Sequence, residues 1–146
     1  MSEVDPRAIV SPSSRIGSGV RVAAFAVVGD EVELGVGCTL APHAVVRGPA
    51  RIGPKNVFDS FCSVGGDPQD LKFHGERTEL VVGEGNHFRE FCTVSRGTTS
   101  GGGVTRIGDN NLFMAYSHVA HDCIVGSHTV FANGATLAGE VGLCVV

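Results

Sequence analysis

The residues best suited to chemistry lie together in Ser117-His118-Val119-Ala120-His121-Asp122-Cys123. An imidazole titrates near about pH 6.5, so it can take or give a proton around neutrality, and an adjacent carboxylate can orient it and stabilise its charged form. Two histidines three apart are also a fragment of a metal site. A tetrahedral zinc needs further ligands, however, and no third clustered histidine is evident. Two other stretches are polar or glycine-rich. Gly66 to Leu80 carries Asp67, Gln69, Asp70, Lys72 and Glu76, whereas Ser95 to Gly103 reads Ser-Arg-Gly-Thr-Thr-Ser-Gly-Gly-Gly. The second fits either a plain flexible excursion or a backbone cradle for phosphate, and a lone glycine run does not separate the two.

The elements that must position these groups follow a period of six. Every sixth residue from Val4 is apolar: Val4, Val10, Ile16, Val22, Val28, Leu34, Leu40, Val46, Ile52, Phe58 and Val64. With 42 % of positions hydrophobic, eleven successes by chance have a probability on the order of one in ten thousand. The series resumes at Val82, Phe88 and Val94, then shifts phase by one and runs from Ile107 through Phe113, Val119, Val125, Phe131 and Leu137 to Leu143. Two residues before each apolar position the side chain is usually small, as at Ala26, Cys38, Ala44, Ala50 and Cys62. That spacing fits a short strand whose positions i−2 and i both point inward. Glycine often follows the apolar residue, at 17, 29, 35, 53, 65, 83, 108 and 126, which suggests a corner that needs positive φ.

A period of six is neither helical nor a simple strand alternation, and hexapeptide repeats mark the parallel β-helix. Three hexapeptides make one triangular coil, so the chain is predicted to be one all-β domain, residues 1–146, of about seven coils with two loop insertions. Twenty-one glycines, eight Phe, one Tyr and no Trp suit a core of small cross-section. Solenoids put their chemistry on insertions and outward residues, because inward ones are committed to packing. Val119 and Cys123 are inward in register, so His118, His121 and Asp122 should face outward. Cys38, Cys62, Cys92 and Cys123 occupy the small inward slot and read as packed hydrophobes.

Composition excludes several functions. The formal charge of −4 is spread without a basic block, which argues against nucleic acid. Met1 to Val10 has no basic-then-apolar signal pattern, and no 18-residue apolar run predicts a membrane insertion. Five thiols without a secretion signal agree with a reducing compartment.

Several motifs together resemble one family. Gln69-Asp-Leu-Lys72 with Gly75-Glu76 behind it, Arg89-Glu90, Arg96-Gly-Thr98, Gly101-Gly-Gly103 with Thr105, and His118-Val-Ala-His-Asp-Cys123 are similar to the acyl-carrier-protein-dependent UDP-N-acetylglucosamine O-acyltransferases that begin lipid A biosynthesis. The resemblance covers essentially the whole chain. It implies a left-handed parallel β-helix, the known exception to right-handed crossovers. It further implies that His121 is the general base on the sugar 3-hydroxyl, that Asp122 orients it, and that the Gly139 backbone N–H is the oxyanion donor. Asp70 and Lys72 would contact the nucleotide sugar, with Gln69 and His118 close by, and a lysine suits a diphosphate as a point charge. Glu140 departs from the family, which commonly has His there, and would set a carboxylate beside the sugar diphosphate.

The resemblance implies no metal and no cofactor, the co-substrate being a (3-hydroxy)acyl thioester of acyl carrier protein. It also implies a cytoplasmic homotrimer with the site between subunits. Family members continue into further coils and a helical C-terminal domain, whereas this sequence stops in mid-repeat at Gly142-Leu-Cys-Val-Val146, so it reads as a truncated N-terminal part. Two other readings stand beside this one. A metal enzyme of γ-carbonic-anhydrase type predicts bound zinc, and an inactive scaffold predicts that His121→Ala changes nothing measurable.

Overall fold

Each hexapeptide forms one short strand and one corner. The computed structural model describes residues 1–143, in which twenty-one strands form three parallel sheets of seven and no helix occurs. Cys144 and the last positions of the predicted 1–146 domain lie outside the described residues. Successive strands fall on the first, second and third sheet in turn, and every pairing is parallel, so the chain winds as a three-sided prism. It is the left-handed parallel β-helix that the repeat and the resemblance lead one to expect.

The coil length explains the phase of the hexapeptides. On the first sheet Val4 pairs with Val22, Val22 with Leu40 and Leu40 with Phe58, eighteen residues apart each time. Phe58 then pairs with Phe88 and Phe88 with Phe113. The first long coil adds two whole hexapeptides and keeps the phase, whereas the second adds one hexapeptide and one residue and shifts it. Both additions leave the prism at one corner, between the second sheet and the third. One joins Ser63–Gly66 to Glu79–Val82, and the other joins Thr93–Ser95 to Val104–Ile107. His121 and Asp122 turn the same corner one coil further on, between His118–Val119 and Ile124–Val125. Gly139 and Glu140 turn it in the next coil.

Packing follows the coil spacing of about 4.8 Å between neighbouring strands. Phe58, Phe88, Phe113 and Phe131 form one inward column, with ring centroids 5.0, 4.9 and 4.7 Å apart. Cys38, Cys62, Cys92 and Cys123 are buried and free. Burial pushes the Cys62 thiol up to about 12 and that of Cys92 to about 11, so neither is a ready thiolate.

The glycines after the apolar positions have a different cause from the predicted one. Of that set only Gly65 has positive φ, and most corners place that conformation on larger residues such as Phe25, His43 and Phe61. The glycines are needed for close approach. A Cβ on Gly53 would lie 2.6 Å from the Gly83 carbonyl oxygen, and one on Gly108 2.7 Å from that of Gly126.

A buried asparagine ladder lines one corner. The Asn86 amide donates to the Gly108 carbonyl at 2.9 Å and to Asn56 Oδ1 at 3.0 Å, and Asn86 Oδ1 accepts the Asn111 backbone N–H at 2.9 Å. Asn86→Ala orphans the Asn111 N–H and the Gly108 carbonyl away from water. It is expected to cost about 2–3 kcal/mol, read as a lower denaturation midpoint at unchanged slope.

Candidate active site

The corner that carries both insertions also carries the best-placed proton-transfer pair. His121 Nδ1 lies 2.8 Å from Asp122 Oδ2, with the His121 side chain 19 % exposed and that of Asp122 fully covered. A carboxylate only accepts, so Nδ1 carries the hydrogen and the other ring nitrogen, Nε2, is left as the base.

Asp122 faces away from the core, as its register predicts, but it does not face solvent. The second insertion folds over it. The Thr98 backbone N–H donates to Oδ1 at 2.9 Å and the Thr98 hydroxyl to Oδ2 at 2.5 Å. The Asp122 backbone N–H is held by Thr105 Oγ1 at 2.9 Å, which fixes a residue that turns the corner at φ 60. Burial acts to raise the Asp122 pKa, but the hydrogen bonds from Thr98 and His121 outweigh it and hold the carboxyl below its usual range. Arg96, Gly97 and Thr98 are buried. The first part of the loop is therefore packed rather than a loose excursion, and its Thr98 N–H is already spent on Asp122.

Gly139 lies directly against the imidazole. A Cβ there would stand 2.6 Å from His121 Cε1 and 2.7 Å from Nε2. Its own N–H makes no hydrogen bond among the described residues. Glu140 is exposed at φ 65, and its N–H donates to the His121 carbonyl at 2.9 Å. His118 occupies the second sheet with Nδ1 2.7 Å from the Thr93 hydroxyl, and burial pushes its pKa down.

The first insertion is braced by the second. Arg96, with a side chain 8 % exposed, donates to the Gly65 carbonyl at 2.7 Å and to Asp67 at 2.6 Å. Arg47 reaches Asp67 from the coil below at 3.2 Å. Those contacts hold the base of the loop that presents Gln69, Asp70 and Lys72, of which Gln69 and Lys72 are exposed. Asp70 Oδ1 accepts the Lys72 N–H at 3.0 Å in a local turn. No hydrogen bond joins Gln69, Asp70 or Lys72 to His121 within the described residues. Arg96→Ala is expected to lower stability by about 2–3 kcal/mol, since hydrogen bonds to a charged group are lost from a nearly dry position. Urea denaturation measures this, and early proteolysis between residues 66 and 79 reports the released loop.

Sequence reasoning missed two parts of this arrangement, the Thr98–Asp122 bond and the Arg96–Asp67 brace. Arg96 and Thr98 are visible as motif residues, but their partners lie 29 residues back and 24 residues on. Among the described residues no group of three or more His, Cys, Asp or Glu side chains converges as a metal site.

The three-sided coil of hexapeptides places the chain among hexapeptide-repeat proteins, and residues 105–139 match the bacterial transferase hexapeptide family (six repeats). The acyl-(acyl-carrier-protein)-UDP-N-acetylglucosamine O-acyltransferase of Stenotrophomonas maltophilia strain R551-3 is 52 % identical over 138 residues, 94 % of this chain and 52 % of that protein. LpxA from Acinetobacter baumannii superposes with a TM-score of 0.94 at 44 % identity, over 95 % of this chain and 54 % of that one. The Francisella novicida UDP-N-acetylglucosamine acyltransferase gives a TM-score of 0.93 at 35 % identity, over 95 % and 51 %. The chain belongs to the UDP-N-acetylglucosamine O-acyltransferase family and spans about half the length of the relatives it matches.

Proposed function

We propose that the protein transfers a (3-hydroxy)acyl group from acyl carrier protein to the 3-hydroxyl of UDP-N-acetylglucosamine, the first step of lipid A biosynthesis. The observation that carries this reading is the Nδ1-anchored His121, whose Nε2 is free at a corner flanked by two insertions. His121 Nε2 takes the proton of the sugar hydroxyl as its oxygen bonds to the thioester carbonyl carbon. The resulting oxyanion is met by the Gly139 N–H. Collapse expels the carrier protein's thiolate, which takes the proton back from His121, so an ester and a thiol are formed. Asp122 stays ionised and stabilises the transient imidazolium.

Gln69, Asp70, Lys72 and His118 bind the nucleotide sugar in this reading, with Glu140 beside it. The reaction calls for no metal or cofactor, because a thioester is already activated. The protein works in the cytoplasm as a homotrimer. No helix is long and apolar enough to cross a membrane among the described residues. A second copy suits the column formed by Phe25, His43, Phe61, Phe91 and Tyr116, whose rings stack 5.0–5.6 Å apart beside the second sheet. Its three Phe rings are each about half exposed and Tyr116 is more so, an apolar ridge that free solvent does not favour.

The test is to mix the protein with UDP-N-acetylglucosamine and 3-hydroxyacyl carrier protein and to follow O-acylated sugar nucleotide by mass. Formation of that product supports the reading. Folded, trimeric protein that forms none points to the scaffold instead.

A further inference from the structure

We propose that Thr98 is the positioning residue that locks the Asp122 carboxylate for His121, and that the glycine-rich loop exists to close over this carboxylate. The inference rests on the reading of His121 as the base. It goes beyond that reading by assigning a task to a loop and a residue that take no part in the chemistry.

Three observations carry it. Thr98 donates twice to one carboxylate, through its N–H at 2.9 Å and its hydroxyl at 2.5 Å, while His121 Nδ1 takes the remaining approach at 2.8 Å. With three donors from two directions the carboxylate cannot rotate without breaking one of them, so the plane of the imidazole is set through it. Next, two of the loop's glycines, Gly97 and Gly101, pack against that carboxylate. A Cβ on Gly97 would stand 2.8 Å from Asp122 Oδ1, and one on Gly101 would collide with the Asp122 side chain itself. Finally, the loop is tied to Thr98. The Gly103 N–H donates to the Thr98 carbonyl at 2.6 Å and the Gly101 N–H to the Thr98 hydroxyl at 3.1 Å. The hydroxyl thus accepts from the loop and donates to Asp122, linking the two.

Thr98 touches neither substrate nor the reacting atoms in this scheme. Its effect reaches the reaction only through which ring nitrogen of His121 holds the hydrogen. Without the hydroxyl, Oδ2 loses a charge-assisted partner in a dry site, the carboxylate turns, and the neutral imidazole populates both tautomers.

Thr98→Val keeps the shape and the N–H but removes the hydroxyl, whereas Thr98→Ser restores it. In side-chain nitrogen-15 spectra, neutral His121 is expected as the Nδ1–H tautomer in the parent and in Thr98→Ser, and as a mixture in Thr98→Val. Kinetically, Thr98→Val should lower kcat about 10- to 100-fold, the worth of one hydrogen bond to a charged group, with KM unchanged. Thr98→Ser should remain near the parent. Should Thr98→Val not fold by circular dichroism, Thr98→Ala reads the same two quantities without a methyl group against the carboxylate. A parent-like tautomer in the folded variant lacking the hydroxyl overturns the proposal, and so does an undiminished kcat. If the parent itself forms no product, the tautomer decides the question alone, so failure of the acyl-transfer reading is not mistaken for failure of this one.

Discussion

His121→Ala is expected to lower kcat by about 10²–10⁴-fold, the usual contribution of a well-placed general base. The geometry gives reasons for both ends of that range. His121 is the imidazole in the described chain with Nδ1 on a fully covered carboxylate, and its Nε2 is the nitrogen left to accept a proton. Removing it leaves the sugar hydroxyl to attack with its proton still in place. The thioester stays activated and the Gly139 N–H stays free, so the loss is bounded rather than complete. The ring lies outside the core column, so the fold should survive. Steady-state kinetics beside a thermal melt checks both. Equal melting with a collapsed kcat supports the base, whereas an unchanged kcat sinks it and places proton transfer on another group.

Gly139→Ala is the second large effect, expected at about 10²-fold or more in kcat, comparable to the loss of one oxyanion donor. The added methyl would sit 2.6 Å from Cε1 and 2.7 Å from Nε2 of His121, well inside van der Waals contact, so the imidazole must move. It cannot move while holding Nδ1 against an Asp122 that Thr98 has locked. Either the Asp122 bond breaks or the coil carrying Gly139 is displaced, and both take the Gly139 N–H and the His121 Nε2 out of register. Because the clash lies at the surface corner and not in the core, the variant should fold. A drop in kcat, together with loss of the His121 Nδ1–H tautomer, is the expected result. Parent-like kinetics would show that the imidazole works from another position.

Much of the fold was legible in the residues. A six-residue period of Val, Leu, Ile and Phe has one packing solution in which every third hexapeptide lands on the same face, and the coil number follows from length. Even the shift of phase at Ile107 is arithmetic, since the second long coil adds one residue beyond a whole hexapeptide. The glycines were legible in position but not in cause. Their φ values are mostly ordinary, and the constraint is a neighbouring backbone that only the stacked coils bring within reach.

The site divides the same way. The sequence by itself determined that His118, His121 and Asp122 lie off the core, that two insertions interrupt the repeat, and which residue types are at hand for proton transfer. Only the tertiary structure decided that both insertions leave the same corner as His121, that Thr98 covers and locks Asp122, that Arg96 braces the loop of Gln69, Asp70 and Lys72, and that Gly139 underlies the imidazole. The physical reason is stacking. In a solenoid of eighteen residues per coil, residues one coil apart become neighbours about 4.8 Å apart, and where loops change the coil length, only the folded register says which residues those are.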